Sequence, residues 1–212
     1  MTRFLLPGVL AMAATVVASN ILVQFLLGDW LTWGALTYPV AFLVTDVMNR
    51  VYGPEAARRV VGAGFAVGVA CSLIGTQVML HGDGYDYPAV TLRIALGSGL
   101  AFLAAQMSDV AIFDRLRARG PWWRAPLAST LVGSSLDTVI FFSIAFSALA
   151  NPLEPANVPT WAQETLPMLG LGPAVPLWVS LGFADWMVKL ALALIALAPF
   201  RVIVRKLTQQ VA

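Results

Sequence analysis

The sequence predicts an all-α integral membrane protein with six transmembrane helices and both termini in the cytoplasm. Composition supports this class, because 59% of the 212 residues are hydrophobic and only 11% are charged, whereas soluble domains are about half apolar and about a quarter charged. In addition, six apolar stretches reach the length of about 20 residues that a bilayer-spanning helix needs. Six spans occupy most of the chain, so we expect a single domain over residues 1–212.

Each predicted span is an apolar stretch bounded by turn-forming or charged residues. Gly28-Asp29 follows the first stretch, Gly53-Pro54 the second, His81-Gly82 the third and Gly120-Pro121 the fourth. A long connection rich in proline separates the fifth stretch from the sixth. The first stretch is longer than the apolar core of a secretory signal, so we expect it to be a retained helix. The spans are predicted at residues 3–27, 33–51, 59–80, 91–113, 126–149 and 173–200.

The placement of the basic residues predicts the orientation. Eleven of the 13 Lys and Arg residues fall on one side of the six-span arrangement. The loops on the other side, at residues 28–32, 81–90 and 150–172, contain Asp and Glu but neither Lys nor Arg. Because Lys and Arg accumulate in cytoplasmic loops, both termini are predicted to be cytoplasmic. The arginine clusters are thus interpreted as topology signals, and no nucleic-acid partner is expected.

The small number of reactive side chains excludes several classes of function. The chain has one Cys and one His, which excludes a disulfide scaffold, a Cys/His zinc site and most pairs of nucleophile and base. We therefore expect no catalytic residue, no metal site and no cofactor. The sequence has no Walker A pattern, so an ATPase that energised this protein would be a separate chain.

Six ionisable residues fall inside predicted spans, where each costs about 2.5 to 3.5 kcal/mol at a helix centre. Such residues usually face a bundle interior and indicate function. Asp137 and Asp185 lie near mid-membrane, whereas Arg93 is close enough to the outer surface to extend its charge to water. The structural alternative is that Asp185 pairs with Lys189 four residues later, and Asp46 with Arg50. The six residues are Asp46, Arg93, Asp109, Asp137, Asp185 and Lys189.

Polar and aromatic residues accompany these aspartates at helical spacing. Residues three and four apart share one face of a helix, so several predicted spans present amides, carboxylates and rings to a common interior. Such a site suits a flat, hydrogen-bonding solute, although serines between membrane helices often serve only as interhelical contacts. The stripes are Asn20 and Gln24; Tyr38, Phe42, Asp46 and Asn49; Gln106, Asp109 and Phe113; and Ser134, Asp137 and Phe141.

Three segments together resemble the queuosine precursor transporter family, which belongs to the vitamin uptake transporter group. The first runs from Tyr38-Pro39 through Phe42, Thr45-Asp46 and Asn49 to Val51-Tyr52-Gly53. The second contains Gln106, Asp109-Val110 and Ile112-Phe113, and the third contains Ser135-Leu136-Asp137-Thr138 and Ile140-Phe141. The resemblance extends from the first span to Lys189 and Pro199.

The resemblance implies uptake of 7-deazaguanine bases across the bacterial inner membrane for the synthesis of queuosine in tRNA. The cargo would be 7-cyano-7-deazaguanine, 7-aminomethyl-7-deazaguanine or both. For such a cargo we expect Asp137 or Asp109 to accept the N–H groups of the pairing edge. Lys189 would donate to its carbonyl group, or hold Asp137 or Asp185 charged. The expected substrate-binding residues are Asn20, Phe42, Asp46, Gln106, Asp109, Ser134, Asp137, Phe141 and Lys189.

Other functions stay open at this point. A carrier of another vitamin-like or nucleobase solute, or the substrate-binding subunit of an importer with a separate ATPase, fits the same pattern. An intramembrane aspartyl enzyme that uses Asp109 and Asp137 is a remote alternative, because its two carboxyl groups would have to be in contact. The partners that we expect are the solute and the lipid bilayer. A homo-oligomer, the energy source and the choice between the two precursors stay open.

Overall fold

The computed structural model of the chain describes residues 2–22, 26–27, 31–82, 84 and 86–211. Gln24, Asp29 and Asp83, which the sequence places in or beside predicted spans, lie outside the described residues. Over the described residues the protein is almost entirely helical, in agreement with the predicted all-α class. The helices are α1 (Thr2–Leu22), α2 (Trp33–Thr37), α3 (Val40–Tyr52), α4 (Pro54–Gln77), α5 (Leu92–Leu116), α6 (Arg124–Phe146), α7 (Thr160–Gln163) and α8 (Leu177–Val211).

Short antiparallel hairpins occur on three connections between the helices. The strands β1 (Leu26–Leu27) and β2 (Leu31–Thr32) pair before α2, and β3 (Met79–His81) and β4 (Asp86–Pro88) pair between α4 and α5. The strands β5 (Thr165–Pro167) and β6 (Ala174–Pro176) pair before α8. The hairpins lie in or beside the three connections that the sequence predicts on the side opposite to the basic residues. Single 3₁₀ turns lie at Ala148–Leu153, Pro155–Asn157 and Met168–Gly170.

Within the part of the chain that the structure describes, five helices are long and apolar enough to cross a membrane by length and composition: α1, α4, α5, α6 and α8. The chain is therefore a multi-pass membrane protein. Three predicted boundaries were wrong by five residues or more: α1 ends at Leu22 and Leu26–Leu27 form a strand, whereas the first span was predicted to residue 27. In addition, α4 begins at Pro54 instead of residue 59, and α8 continues through Pro199 to Val211 instead of ending at residue 200. Pro54 lies in the first turn of α4, where its missing N–H costs no hydrogen bond.

The second predicted span, residues 33–51, is divided into α2 and α3. The helix α2 ends at Thr37 and α3 begins at Val40, because Pro39 has no N–H for the hydrogen bond to the preceding turn. The backbone nevertheless keeps turning, since the N–H of Tyr38 donates to the Gly34 carbonyl at 3.0 Å and that of Ala41 to the Tyr38 carbonyl at 2.9 Å. We call Tyr38-Pro39 the kink.

The kinked segment lies at the centre of the packing. Met48 of α3 packs in a buried apolar cluster with Met12 of α1, Val60 of α4 and Phe102 of α5. A second buried cluster joins Val47 of α3 to α5, α6 and α8, through Phe113, Ala125 and Phe200 respectively. The helix α3 therefore touches every long helix around it, and its polar residues Thr45, Asp46 and Asn49 are buried in the bundle.

Arg93 does not reach the outer surface, contrary to the prediction. Its side chain is fully buried, and its guanidinium donates to the Ile144 carbonyl at 3.2 Å, the Ser147 carbonyl at 2.6 Å and Asn151 Oδ1 at 2.8 Å. These acceptors lie at the end of α6 and in the connection that follows it. Arg93 thus fixes the long connection to the start of α5, and we assign it a structural role.

Candidate functional site

Among the described residues, two groups of buried polar side chains lie where the kink and α3 meet α5, α6 and α8. The first, which we call the lysine cluster, joins the kink to α6 and α8, and the second, the amide–carboxyl cluster, joins α3 to α5 and α6. Sequence spacing alone places neither cluster, because each brings together residues from three separate segments. The lysine cluster consists of Tyr38, Asp137, Thr138, Asp185 and Lys189. The amide–carboxyl cluster consists of Thr45, Asp46, Asn49, Gln106, Asp109, Ser129 and Thr130.

Lys189 is the centre of the lysine cluster. Its ammonium group lies 2.7 Å from Asp137 Oδ2 and 2.5 Å from Asp185 Oδ2, and it donates to the Thr138 hydroxyl at 3.3 Å. The Tyr38 hydroxyl donates to the other oxygen of Asp137 at 3.0 Å. The predicted pair of Asp185 and Lys189 is therefore present, but Lys189 also binds Asp137, and both oxygens of Asp137 have a donor.

Asp46 accepts hydrogen bonds from helix α6. The Ser129 hydroxyl donates to its Oδ1 at 3.3 Å and the Thr130 hydroxyl to its Oδ2 at 3.4 Å. The alternative prediction, an ion pair between Asp46 and Arg50, is wrong: the guanidinium of Arg50 donates to the Arg117 carbonyl at 2.6 Å. Asp46 is held inside the bundle because α6 supplies two hydroxyl donors that the local spacing in α3 does not reveal.

Three buried residues of the amide–carboxyl cluster have unused hydrogen-bonding atoms. Neither oxygen of Asp109, nor Nε2 of Gln106, nor Oδ1 of Asn49 has a hydrogen-bond partner among the described residues. All three side chains are completely buried. Buried polar atoms are nearly always paired, and each exception needs an explanation. Gln106 and Asp109 are three residues apart and so share one face of α5.

The other polar atom of each amide, Gln106 Oε1 and Asn49 Nδ2, is held by a hydrogen bond within the protein. Thr45 Oγ1 lies 2.6 Å from Gln106 Oε1, and the Asn49 amide nitrogen donates to the Val110 carbonyl at 3.0 Å. Each amide thus has one end held by the protein and one end free. Asp109 lies beside Asp46 and Ser129. This arrangement offers a ligand two carboxylate oxygens and one amide oxygen that accept, and one amide N–H₂ that donates.

Phe42 connects the two clusters. It is one turn from Tyr38, whose ring meets it edge-on at 6.3 Å between centroids, and it is four residues from Asp46. Phe42, Asp46 and Thr130 line one small cavity together with Pro39 and residues of α8. The cavity has a volume of about 10 Å³, which is enough for about one water molecule. This cavity is therefore too small for a solute larger than water.

Three predicted site residues take part in contacts outside the two clusters. The amide of Asn20 donates to the Val16 carbonyl in its own helix at 2.9 Å, and the Ser134 hydroxyl donates to the Leu131 carbonyl at 3.2 Å. Phe141 packs edge-on against Phe142 at 5.2 Å. Their roles in substrate binding stay predictions.

Thr45, Ser129, Thr130 and Thr138 belong to the clusters although they were not predicted as site residues. Hydroxyl side chains are common between membrane helices, where they often serve only as interhelical contacts. Thr45 lies directly before Asp46 and Thr138 directly after Asp137, so adjacency to an intramembrane aspartate is a signal that could have found these two. Among the described residues, no group of three or more His, Cys, Asp or Glu side chains could hold a metal ion.

Comparison with known proteins gives the family. A family model described as "Putative vitamin uptake transporter" matches residues 32–204, which include both clusters. The chain belongs to this family. Membership of a transporter family confirms that the protein is not an enzyme, and the aspartyl enzyme alternative is dropped. No solved structure gives a significant match to the chain.

Three relatives have names that specify a cargo. A "Probable queuosine precursor transporter" of Haemophilus influenzae is 32% identical over 187 residues, which cover 83% of this chain and 71% of that protein. The "Queuosine precursor transporter" of Escherichia coli is 38% identical over 140 residues, or 62% of this chain and 63% of that protein. A "Probable queuosine precursor transporter" of Bacillus subtilis is 29% identical, over 81% of this chain and 71% of its own length. The predicted family resemblance is thereby confirmed.

Proposed function

We propose that this vitamin uptake transporter family member imports queuosine precursors, the 7-deazaguanine bases, across the bacterial inner membrane. The names of the three relatives support this cargo. The structural observation that carries the proposal is the set of unused buried atoms on Asn49, Gln106 and Asp109. A polar atom that is buried without a partner costs stability, and a substrate that supplies the missing partner recovers that cost.

The chemistry of these atoms complements a deazaguanine. Its pairing edge presents ring and exocyclic N–H donors beside a carbonyl acceptor. In its ionised form, Asp109 can accept two parallel N–H bonds, as carboxylates do from paired donors, and Nε2 of Gln106 can donate to the carbonyl. The Phe42 ring, in contact with the same cavity as Asp46, is placed to cover a ring face. Asp46 then forms the far wall of the site.

Asp109 and Asp137, the two aspartates that the sequence analysis predicts for this contact, differ in whether their oxygens already accept hydrogen bonds. Both oxygens of Asp137 already accept from Tyr38 and Lys189, whereas both oxygens of Asp109 are free of partners among the described residues. A substrate bound to Asp137 would have to displace an ion pair, whereas the oxygens of Asp109, which lie beside Asp46 and Ser129, make no ion pair among the described residues. These contacts favour Asp109 as the acceptor and give Asp137 and Lys189 another role.

For the topology we propose six spans, with α2, the kink and α3 acting together as the second. Residues 33–52 number about 20, which is enough to cross a bilayer. Transporter sites are often built on discontinuous helices near the midplane, and the kink adjoins both clusters here. The basic residues that flank α3, α5, α6 and α8 then lie on the cytoplasmic side, together with both termini, and the whole chain forms one transport domain.

Substitution of Asp109 by asparagine tests the site. Asp109→Asn keeps the shape of the side chain but replaces one acceptor oxygen with a donor. We expect it to weaken uptake at least about tenfold, because a hydrogen bond to a charged group contributes about 1.5 to 3 kcal/mol. The measurement is the queuosine content of tRNA, in cells that cannot make the precursors and receive a low concentration of them.

The matched control is Asp114→Asn. Asp114 lies in the same helix but is partly exposed and pairs with Arg117 at 2.9 Å, so this variant should restore queuosine like the unmodified chain. The site is wrong if Asp109→Asn, present in the membrane at normal amount, supports full uptake. The cargo is wrong if the unmodified chain restores no queuosine.

A further inference from the structure

We propose that the lysine cluster is a proton-binding site, and that a proton taken up there from outside drives import of the deazaguanine. This inference rests on the function proposed above. It uses the buried groups that the substrate site leaves over, namely Asp137, Asp185 and Lys189.

The charges of the lysine cluster do not balance. Two carboxyl groups share the single ammonium of Lys189, at 2.7 Å and 2.5 Å. The exposed fractions of the three side chains are 5% for Lys189, 7% for Asp137 and 14% for Asp185. With all three ionised, the cluster would hold one net negative charge inside the bundle, away from water. An unbalanced buried charge is strongly unfavourable, and one proton on a carboxyl oxygen removes it.

Among the described residues, the ionisable groups that face this cluster come from the kink, α6 and α8. The kink contributes Tyr38, whose hydroxyl donates to Asp137; α6 contributes Asp137; and α8 contributes Asp185 and Lys189. From α5 the ring of Phe102 packs edge-on against Tyr38 at 6.2 Å between centroids, and it carries no charge. Thr138 donates to Asp185 at 2.9 Å and completes the polar contacts. The proton therefore binds to a carboxyl group within this cluster.

Proton binding changes the contacts that hold three elements together. An ionised Asp137 accepts from both Tyr38 at the kink and Lys189 of α8. A proton on Asp185 removes one of the two carboxylates that share the ammonium group, so Lys189 pairs with Asp137 alone. The hold of α8 on Asp137, and through Asp137 on the kink, then changes. The protonated and deprotonated forms thus favour different positions of the kink.

The kink also carries one wall of the proposed substrate site. Phe42 lies one turn after Tyr38 and meets its ring edge-on, and it lines the cavity beside Asp46. A proton in the lysine cluster and a base in the amide–carboxyl cluster therefore act on the same segment. Two ligands that favour the same position of one element bind cooperatively. The proton adds to a carboxylate from the outside water, and the O–H bond breaks toward the cytoplasm after the bundle opens inward.

Proteoliposomes with an imposed pH gradient test the proposal, with a fluorescent pH indicator inside. For the unmodified protein we expect acid outside to accelerate uptake of the deazaguanine, and we expect the interior to acidify when substrate is added. Asp185→Asn leaves a balanced pair of Asp137 and Lys189, so the variant should fold. It should bind the base within about threefold of the unmodified affinity, a difference below 1 kcal/mol, but its uptake should not respond to the gradient. Glu55→Gln, an exposed acid outside both clusters, is the control and should behave as the unmodified chain.

Infrared difference spectra in acid and in alkaline solution test the proton itself. The unmodified protein should show the band of a protonated carboxyl group. Part of this band should be lost in Asp185→Asn, whereas Glu55→Gln should keep all of it. Uptake that ignores the pH gradient in the unmodified protein would overturn the proton site and leave the cargo intact. Uptake by Asp185→Asn that still follows the gradient would also overturn it. Absence of any deazaguanine transport would overturn the cargo, and with it the coupling.

Discussion

Gly133 allows α6 to approach the proposed site closely. A Cβ atom at this position would lie 2.7 Å from the Phe42 ring and 3.2 Å from the Ala105 carbonyl oxygen. Both distances are shorter than side chains normally allow, and the backbone of α5 cannot move away cheaply. The absence of a side chain therefore lets α3, α5 and α6 meet where Phe42 separates the lysine cluster from the amide–carboxyl cluster.

Substitution of alanine at Gly133 should disturb Phe42 before anything else. We expect Gly133→Ala to weaken binding of a deazaguanine about tenfold, which corresponds to about 1.4 kcal/mol, and to destabilise the protein by about 1 to 3 kcal/mol through overpacking. Calorimetric binding and thermal unfolding in detergent measure the two effects. Gly62→Ala is the control, since a Cβ there meets nothing within 4 Å. Equal behaviour of the two variants would show that Phe42 is not part of the site.

Spacing in the sequence predicts contacts within one helix but not between helices. The pair of Asp185 and Lys189 and the shared face of Gln106 and Asp109 follow from helical geometry. The approach of Asp137 to Lys189 joins residues 52 positions apart and depends on how α6 packs against α8. The sequence therefore assigned the substrate equally to Asp109 and Asp137, and only the contacts of these two residues with other helices distinguish them in the proposed site.

At the scale of elements, the kink determines how α3 enters the bundle. Pro39 interrupts the helical hydrogen bonds directly after Tyr38, whose hydroxyl reaches Asp137 at 3.0 Å. A hydropathy window averages over one proline, which explains why residues 33–51 were predicted as one uninterrupted span. Pro199, by contrast, does not interrupt α8, because this helix continues to Val211. The effect of a proline on a membrane helix thus depends on the neighbours that pack around it.

Removal of the kink should lower the rate of transport without lowering the stability of the protein. Pro39→Ala restores an N–H and favours a straight helix from α2 into α3, so we expect thermal stability to be equal or higher and uptake to fall severalfold as Tyr38 moves from Asp137. Pro54→Ala is the matched control, because Pro54 lies in the first turn of α4, where a proline causes no distortion. Unfolding in detergent and uptake into proteoliposomes give the two readouts. Normal uptake by Pro39→Ala would mean that the kink has no part in transport.

At the scale of the whole molecule, charge is divided between two locations. The ends of α3, α5, α6 and α8 carry basic side chains that bind backbone or aromatic groups, as Arg117 does with the Asn49 carbonyl at 2.9 Å and Arg201 with the Trp122 ring at 4.8 Å. The interior carries Asp46, Asp109 and the lysine cluster. Basic residues at helix ends act as topology signals in membrane proteins. The few interior charges have no such role, and they are the groups that we propose for binding and coupling.

The proposed orientation predicts which residues are accessible from outside the cell. With the sole cysteine removed as Cys71→Ser, single cysteines introduced as Thr2→Cys, Glu55→Cys and Glu164→Cys are treated in intact cells with a maleimide that does not cross membranes. In the six-span arrangement only Glu164→Cys reacts, and the other two react after the membrane is permeabilised. Residues 2 and 55 share one side only if an even number of spans separates them, so the kinked segment must then cross. Labelling of exactly one of these two positions from outside would exclude a second span at α2 and α3 and restrict the chain to the five long helices.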